Sequence, residues 1–160
     1  PSVRTLVLRD ITADGFTLFI NKTSPKWSII QANNQAEMLI WYTNSQTQYR
    51  ISGLIEELAP SFIEHNWHRR PTASKYMDYS YASLGSQSSQ IDGRDALIGH
   101  IDGLKEKHRE EELVTPESAA GIVLCPEVIE MLDLNMPHRI HDRRRFVLTD
   151  GKWRFTQLMP

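Results

Sequence analysis

The sequence predicts a mainly β, α+β protein in which short antiparallel strands form a barrel with flanking helices. Seven or eight short segments alternate in polarity or are rich in strand-forming side chains, and few helices separate them. Tight-turn pairs such as Asp150-Gly151 join neighbouring segments, as expected of antiparallel hairpins. With 160 residues and 40% hydrophobic content, the chain is expected to form one domain, residues 1–160, with its own core.

The N-terminal half begins with a predicted hairpin. Residues 3–11 and 16–20 are rich in strand formers, and Gly15 lies in the turn between them. Ser24-Pro25 then indicates a helix over residues 26–32, because serine caps helices and proline is tolerated at the first helical position. Two further strands, 37–42 and 48–58, and a helix over 60–69 that ends before Pro71 complete this half.

The C-terminal half is predicted to be helical first and then β. Residues 72–90 are polar, with five serines between 80 and 89, and predict a loop or an irregular helix. A charged helix is predicted from residue 93 to residue 112, followed by a linker over 116–121. Strands are predicted at 122–124, 128–132, 143–149 and 153–158.

Composition narrows the class of protein. A net charge of −2 argues against a general nucleic-acid binder, and no apolar run approaches the ~20 residues that span a bilayer. Cys125 is the single cysteine, so no internal disulfide forms, and a cytoplasmic location is expected. The chain begins at Pro1 without a methionine, which predicts a missing N-terminal segment.

Common catalytic motifs are missing from the sequence. His65 and His68 are three residues apart on a predicted helix, but zinc needs three or four convergent ligands, so we expect surface histidines and no metal site. Neither a G-x-S-x-G nucleophile motif nor a glycine-rich nucleotide-binding loop occurs. The chemistry is therefore expected to come from a bound group or from positioned charges.

Cations on or beside strands are the strongest functional signal. Residues 139–143 read Arg-Ile-His-Asp-Arg, and strand alternation would send the two arginines and the histidine to one face. Such a face suits a phosphorylated small molecule, although a solvated basic edge is the other interpretation. Two bound phosphates would account for this segment together with the other cations on or beside predicted elements, Arg4, Arg9, Lys26, Arg50 and Arg70.

Six motif blocks follow one another along the chain, beginning with residues 4–9 and 15–26. Their order resembles the pyridoxamine 5′-phosphate oxidase family, in which the first two blocks read R-x-x-L-L-K and G-F-x-F-Y-T-N-x-x-S-R-K. The resemblance implies an FMN-binding antiparallel split β-barrel and a homodimer with FMN at the subunit interface, with a dimerisation region at about 120–160. The other four blocks are residues 47–53, 69–74, 87–91 and 139–160, the last carrying R-x-H-D-R and the closing tryptophan-to-proline segment.

The resemblance also implies residue roles and a reaction. A hydride would pass from C4′ of pyridoxamine or pyridoxine 5′-phosphate to FMN, and oxygen would then give hydrogen peroxide and pyridoxal 5′-phosphate. Arg139 and His141 would lie over the pyridine ring as the catalytic residues. The implied FMN contacts are Arg4, Phe19, Ile20, Lys26, Gln48, Gln87, Ser88 and Arg143, and the implied substrate contacts are Arg9, Arg70, Ser74, Arg139 and His141.

Some positions depart from the family pattern. Pro25 replaces an arginine of the family, Leu132 or Asp133 stands in place of a tryptophan, and Asn66 or Trp67 in place of a tyrosine. These departures leave two alternatives open: a flavin protein or reductase of the same fold with another substrate, and a non-catalytic flavin- or vitamer-binding module.

Overall fold

The computed structural model describes residues 2–160, and its strands and helices follow the predicted order except at residues 72–83 and 119–133. The seven strands are antiparallel where their register is resolved, and the predicted α+β class with antiparallel sheet is confirmed. The strands are β1 Leu8–Ile11, β2 Phe16–Asn21, β3 Gln35–Tyr42, β4 Thr47–Glu57, β5 Ala119–Asp133, β6 Asp142–Thr149 and β7 Lys152–Leu158. The α-helices are α1 Pro25–Ala32, α2 Pro60–His68, α3 Thr72–Ser83 and α4 Arg94–Lys107.

The chain divides into two units. The first contains residues 17–33 and 57–122 together with the N-terminal residues up to Arg9, and the second contains 10–16, 34–56 and 123–160. The prediction of one domain over the whole chain is not tested by this division and stays a prediction. None of the helices within residues 2–160 is long and apolar enough to cross a membrane.

The first unit packs its helices around aromatic side chains. Trp67 on α2 is 1% exposed and clusters with Tyr76 on α3 and Leu104 on α4. The Tyr76 hydroxyl donates to the His108 carbonyl at 2.7 Å, which ties α3 to the chain just after α4. These contacts bury the polar helix α3 on one side.

Helix α3 corrects the sequence prediction for its region. The serines there suggested a loop or irregular helix, yet Thr72–Ser83 is a regular helix. The hydroxyls of Ser80 and Ser83 each donate at 3.0 Å to the carbonyl four residues earlier, so they bond to the helix itself. Helix α4 ends at Lys107 rather than at residue 112, where only a short 3-10 turn, Glu110–Glu112, follows.

The second unit is built on paired strands. Strand β4 pairs with β3, with Met38 opposite Ile51, and β6 pairs with both β5 and β7. The turn between β6 and β7 has Asp150 at φ 53° and Gly151 at φ 71°, so the predicted tight turn is confirmed. Register places Glu130 opposite Arg145 and Leu132 opposite Arg143, so a carboxylate lies in a basic region of the sheet.

Strand β5 corrects the prediction for residues 116–132. Residues 119–121 of the expected linker at 116–121 and the two short strands predicted after it form one 15-residue strand, Ala119–Asp133, which continues through Pro126. A Cβ on Gly53 would lie 1.9 Å from the Cys125 carbonyl oxygen and 3.0 Å from the Pro126 Cα. The absence of a side chain at Gly53 therefore lets β4 lie close to β5 beside the proline.

Candidate functional site

Lys26 is positioned by the start of α1. Ser24 is the N-cap and accepts a hydrogen bond from the Lys26 backbone N–H at 3.2 Å, as the Ser24-Pro25 signal predicts. The Lys26 ammonium donates to the Ser24 hydroxyl at 2.7 Å and to the Gln87 side-chain oxygen at 3.1 Å. Two residues predicted to bind FMN, 61 positions apart in sequence, are therefore in contact.

Among residues 2–160, no carboxylate forms an ion pair with the Lys26 ammonium. Burial lowers the pKa of Lys26 from its ordinary value, and the nearby charge of Arg4 lowers it further. Within residues 2–160, neither Lys26 nor Arg4 forms an ion pair with an acidic side chain. Two neighbouring cations that have no acidic partner in the described part of the chain form a site that an anion would stabilise.

The segment around Gln87 brings uncharged hydrogen-bonding groups next to Lys26. The Gln87 backbone N–H donates to the Thr23 hydroxyl at 3.1 Å, and its side-chain amide donates to the Tyr81 hydroxyl at 3.4 Å. Burial raises the pKa of Tyr81, which keeps its hydroxyl protonated. Ser88 follows with φ 74° and is exposed, so its hydroxyl is accessible beside Gln87. We call Arg4, Lys26, Gln87 and Ser88 the Lys26 group.

Arg70 is held by a buried carboxylate. Its Nη1 donates to Asp78 Oδ2, and the Trp67 indole N–H donates to the same oxygen at 3.0 Å. Asp78 is 5% exposed, and burial raises its pKa, although the Arg70 charge and both hydrogen bonds oppose that rise. The guanidinium predicted to hold a substrate phosphate is therefore already paired with an acid.

The surroundings of Arg70 include other predicted contact residues. Arg70 lines a narrow crevice together with Phe19 and Ile20, both predicted flavin neighbours. Its Nε is buried, with no hydrogen-bond partner among the described residues. Ser74 is half-buried and lies in the first turn of α3, four residues before Asp78. The structure therefore brings Arg70 to Phe19 and Ile20.

A second cationic group lies in the second unit. Glu130 Oε2 accepts from Arg50 Nη2 at 2.7 Å and from Arg143 Nη2 at 3.0 Å, and Arg145 Nε lies 4.0 Å from Oε1. Burial acts to raise the pKa of Glu130, but the hydrogen bond from Arg143 and the charge of Arg50 outweigh it and lower the pKa. We call Arg50, Glu130, Arg143 and Arg145 the Glu130 group.

Gln48 shares a cavity with this group. The cavity measures about 230 Å³ and is lined by Gln48, Arg50, Glu130 and Arg143, with Met131 and Leu132 as its apolar wall. Gln48 and Arg143, both predicted FMN contacts, are therefore brought together. Arg50 was noted as a strand cation but not as a site residue, and Glu130 was missed. The available signal was an acidic residue inside the predicted strand 128–132, whose other side chains are apolar.

Arg139 and His141, which were predicted to be catalytic, do not lie on a strand. Strand β6 begins at Asp142, and Pro137–Arg139 is a turn in which Arg139 has φ 59°, so strand alternation does not apply to Arg139 and His141. Arg139 is exposed. His141 is half-buried, and its Nδ1 has no hydrogen-bond partner within the part of the chain that is described. Arg9 is exposed on β1.

The comparisons with known proteins identify the family. Residues 1–58 match the family described as pyridoxamine 5′-phosphate oxidase, FMN-binding domain. A pyridoxine/pyridoxamine 5′-phosphate oxidase of Microcystis aeruginosa is 32% identical over 161 residues, covering all of this chain and 73% of the relative. The chain belongs to the pyridoxamine 5′-phosphate oxidase family. A similarly named oxidase of Erythrobacter litoralis is 30% identical, covering all of this chain and 75% of its own length.

Solved structures agree with the assignment. PhzG from Burkholderia lata 383, crystallised in complex with tetrahydrophenazine-1-carboxylic acid, is 26% identical with a TM-score of 0.85, over 99% of this chain and 75% of PhzG. A pyridoxamine 5′-phosphate oxidase-related, FMN-binding protein from Nostoc punctiforme has a TM-score of 0.78 at 17% identity, over 98% and 80% of the two chains, and shows the fold alone. The predicted split-barrel fold is confirmed.

The Lys26 group fits the cofactor of this FMN-binding family. FMN ends in a phosphate, and the group offers an ammonium, a guanidinium, an amide and a hydroxyl with no competing carboxylate among residues 2–160. The adjacent pairing of Gln87 with Lys26 already orders two of these donors. The donor chemistry therefore matches a phosphate ester.

Proposed function

We propose that this protein is an FMN-dependent oxidase of pyridoxamine or pyridoxine 5′-phosphate, which gives pyridoxal 5′-phosphate and hydrogen peroxide. The observation that supports it most is the uncompensated Lys26 group in a member of this FMN-binding family. Two relatives about 30% identical carry the name pyridoxine/pyridoxamine 5′-phosphate oxidase.

The proposed cofactor site is built on residues of the first unit. Arg4, Lys26, Gln87 and Ser88 bind the FMN phosphate side, and the backbone near Phe19 and Ile20 lies against the flavin. The homodimer is part of the proposal: residues 120–160 contribute to dimerisation, and the cavity holding Gln48 and Arg143 of the partner subunit completes the site. Residues 1–160 then act as one domain, in the cytoplasm.

The proposed substrate site uses positioned charge. Arg70 and Ser74 hold the substrate phosphate, Arg9 contacts the substrate, and Arg139 and His141 lie over the pyridine ring. When bound, FMN supplies the redox chemistry, accepting a hydride from the substrate and passing two electrons to oxygen. The side chains orient the ring and stabilise charge, and no covalent nucleophile is required. The buried Nδ1 of His141 has no hydrogen-bond partner among residues 2–160, so this nitrogen has capacity for a further hydrogen bond.

An absorbance titration tests this function. The purified protein is expected to show the flavin bands, and pyridoxine 5′-phosphate added without oxygen is expected to bleach the blue band. Readmission of air should restore the band and release hydrogen peroxide in equal amount. Pyridoxine without phosphate is the matched control and should bleach the band far more slowly. An FMN-loaded protein whose spectrum does not change would contradict the proposal.

One observation favours a second substrate class. PhzG is 26% identical over nearly the whole chain, and the crystal structure of that protein contains a carboxylated ring compound. Arg70 is paired with Asp78 in this chain, which suits a substrate with less charge than a phosphate. The second candidate is therefore an FMN-dependent oxidase of a carboxylated ring. Bleaching by tetrahydrophenazine-1-carboxylic acid, and not by pyridoxine 5′-phosphate, would support it.

A further inference from the structure

Asp78 is an acid in the place where an anion is expected to bind. Its Oδ2 accepts from both Arg70 Nη1 and Trp67 Nε1, and the residue is only 5% exposed. The side chain of Arg70 is 20% exposed, so the pair lies largely out of water. Within that pair the two formal charges cancel.

Arg70 retains unused donor capacity. Its Nε is buried without a partner among residues 2–160, and the residue lines the crevice shared with Phe19 and Ile20. A guanidinium has five N–H donors, and Asp78 uses only those directed at Oδ2. Arg70 can therefore donate to a ligand, but it does so without net positive charge.

Asp78 cannot easily move away from Arg70. Trp67 is 1% exposed and donates to Asp78 at 3.0 Å, and the Lys75 ammonium lies 5.6 Å from the Trp67 ring centroid. Lys75 is itself fixed by Glu110 at 3.0 Å. Because the carboxylate is held from two sides, an incoming anion meets Arg70 and Asp78 together.

We propose that Asp78 is a specificity-determining residue that lowers the preference of this site for a phosphate dianion over less charged ligands. A dianion gains from net positive charge and is repelled by a nearby buried carboxylate, whereas hydrogen bonds to a neutral or singly charged group persist. The inference rests on the proposed function, which places the substrate anion at Arg70. It makes unphosphorylated or carboxylated ring compounds better competitors than Arg70 alone would allow.

The test compares binding with and without the phosphate. Pyridoxal 5′-phosphate and pyridoxal are titrated calorimetrically into FMN-loaded protein at about pH 8, where no turnover occurs and the phosphate is dianionic. In Asp78→Asn, which keeps an acceptor for Trp67, the ratio of the two dissociation constants is expected to shift about tenfold toward the phosphorylated ligand. Glu110→Gln, the same charge change next to Lys75, is the control and should leave the ratio within about twofold.

Three outcomes would contradict the proposed role of Asp78. An unchanged ratio in Asp78→Asn, or a shift toward pyridoxal, would overturn the inference, because Asp78 would then be neutral to phosphate or would position Arg70 for it. Failure of both ligands to bind any FMN-loaded protein overturns it as well. Failure of flavin bleaching alone contradicts the proposed reaction but leaves these binding ratios to decide the role of Asp78.

A charge-neutral double variant covers the case in which Asp78→Asn does not fold. Arg70→Gln with Asp78→Asn replaces an ion pair by a neutral hydrogen-bonded pair. If Asp78 already cancels Arg70, the double variant should keep the wild-type ratio within about threefold, since the net charge is unchanged. A loss of phosphate preference greater than about tenfold would show that Arg70 acts on phosphate as a full charge, and the inference would fail.

Discussion

The Lys26 group of the first unit and the Glu130 group of the second both collect cations, but they differ in their counter-charge. Lys26 and Arg4 have no acidic partner within residues 2–160, and burial and mutual repulsion lower the pKa of Lys26. In the Glu130 group, three guanidinium groups surround one carboxylate, whose pKa is lowered. The first group is therefore destabilised until an anion binds, whereas the second is partly satisfied within the protein itself.

Because only the Glu130 group has an acidic partner among the described residues, the two groups are expected to affect different quantities, ligand binding and folding stability. A cation without a partner costs folding free energy and recovers it on binding an anion, so its removal should weaken the ligand complex more than the fold. A carboxylate that holds several arginines stabilises the fold directly, so its removal should be visible without any ligand. Variants in the two groups can test this separation.

The largest expected effect is on cofactor binding by Lys26→Met. Loss of a charged donor to the phosphate should cost about 1.5–3 kcal/mol, a weakening of FMN affinity of roughly ten- to over a hundredfold. The melting temperature of the FMN-free protein should be unchanged or higher, because a desolvated charge is removed. Quenching of flavin fluorescence measures the affinity.

Lys22→Met is the matched control for that prediction. Lys22 is a nearby lysine that pairs with Glu57 at 3.4 Å and is 40% exposed, so its removal should leave the FMN affinity within about twofold. Equal losses in both variants would indicate a general effect of positive charge rather than a phosphate contact at Lys26.

The next effect is on stability and its pH dependence in Glu130→Gln. The folded pKa of Glu130 lies below 4.5, so its ionised form contributes stability above that pH, and the contribution is lost as pH falls through the folded pKa. The variant should lose about 1–2 kcal/mol of unfolding free energy at pH 7, a value discounted because the arginines are 34–47% exposed. Urea unfolding measures it.

The sign of the pH dependence distinguishes this effect from a packing defect. Below the folded pKa the wild-type carboxylate is protonated too, so the stability curves of the two proteins should converge at acid pH. Glu127→Gln, an exposed carboxylate on the same strand, should be near wild type throughout. A constant gap between wild type and Glu130→Gln at all pH values would contradict the electrostatic account.

A smaller effect is expected from Gln87→Met. The substitution keeps the length of the side chain but removes the acceptor for Lys26 and the donor to Tyr81. Without these two hydrogen bonds Lys26 is less well positioned, and a loss of about 1 kcal/mol in binding free energy would weaken FMN binding roughly fivefold. Flavin titration of Gln90→Met, an exposed neighbour, provides the baseline, and an affinity equal to that baseline would remove Gln87 from the site.

The smallest effect is expected from Tyr81→Phe. The hydroxyl lies 3.4 Å from the Gln87 amide, a long hydrogen bond, so its loss should change FMN affinity by no more than about twofold. Flavin titration checks this. A change as large as that in Gln87→Met would mean that Tyr81 contacts the ligand itself.

Much of the local structure could be predicted because it depends on neighbours in sequence. The Ser24 cap, the first proline of α1 and the Asp150-Gly151 turn follow from backbone preferences of a few residues. The region of α3 could not be predicted in this way, because tertiary burial of Tyr76 and Asp78 stabilises a helix whose serines suggest a loop. The close approach of β4 to β5 depends similarly on Gly53, a residue distant in sequence from Cys125 and Pro126.

In the candidate site, too, some residues could be predicted from sequence and others depended on tertiary contacts. Residues Lys26 and Gln87 were identified from motif blocks, and the structure confirms that they meet. The acids Asp78 and Glu130 were missed, because an isolated carboxylate in a helix or strand gives no periodic signal. Their importance depends on which cations lie beside them.

The family, the α+β class and the identity of the cations follow from the order and type of residues along the chain. Which of those cations have an acidic partner among residues 2–160 depends on the folded arrangement. Arg4 and Lys26 remain without an acid among residues 2–160, whereas Arg70 and Arg143 are paired. Coulomb interaction depends on distance in space, and these acids and cations, 8 to 80 positions apart in sequence, become neighbours only after folding.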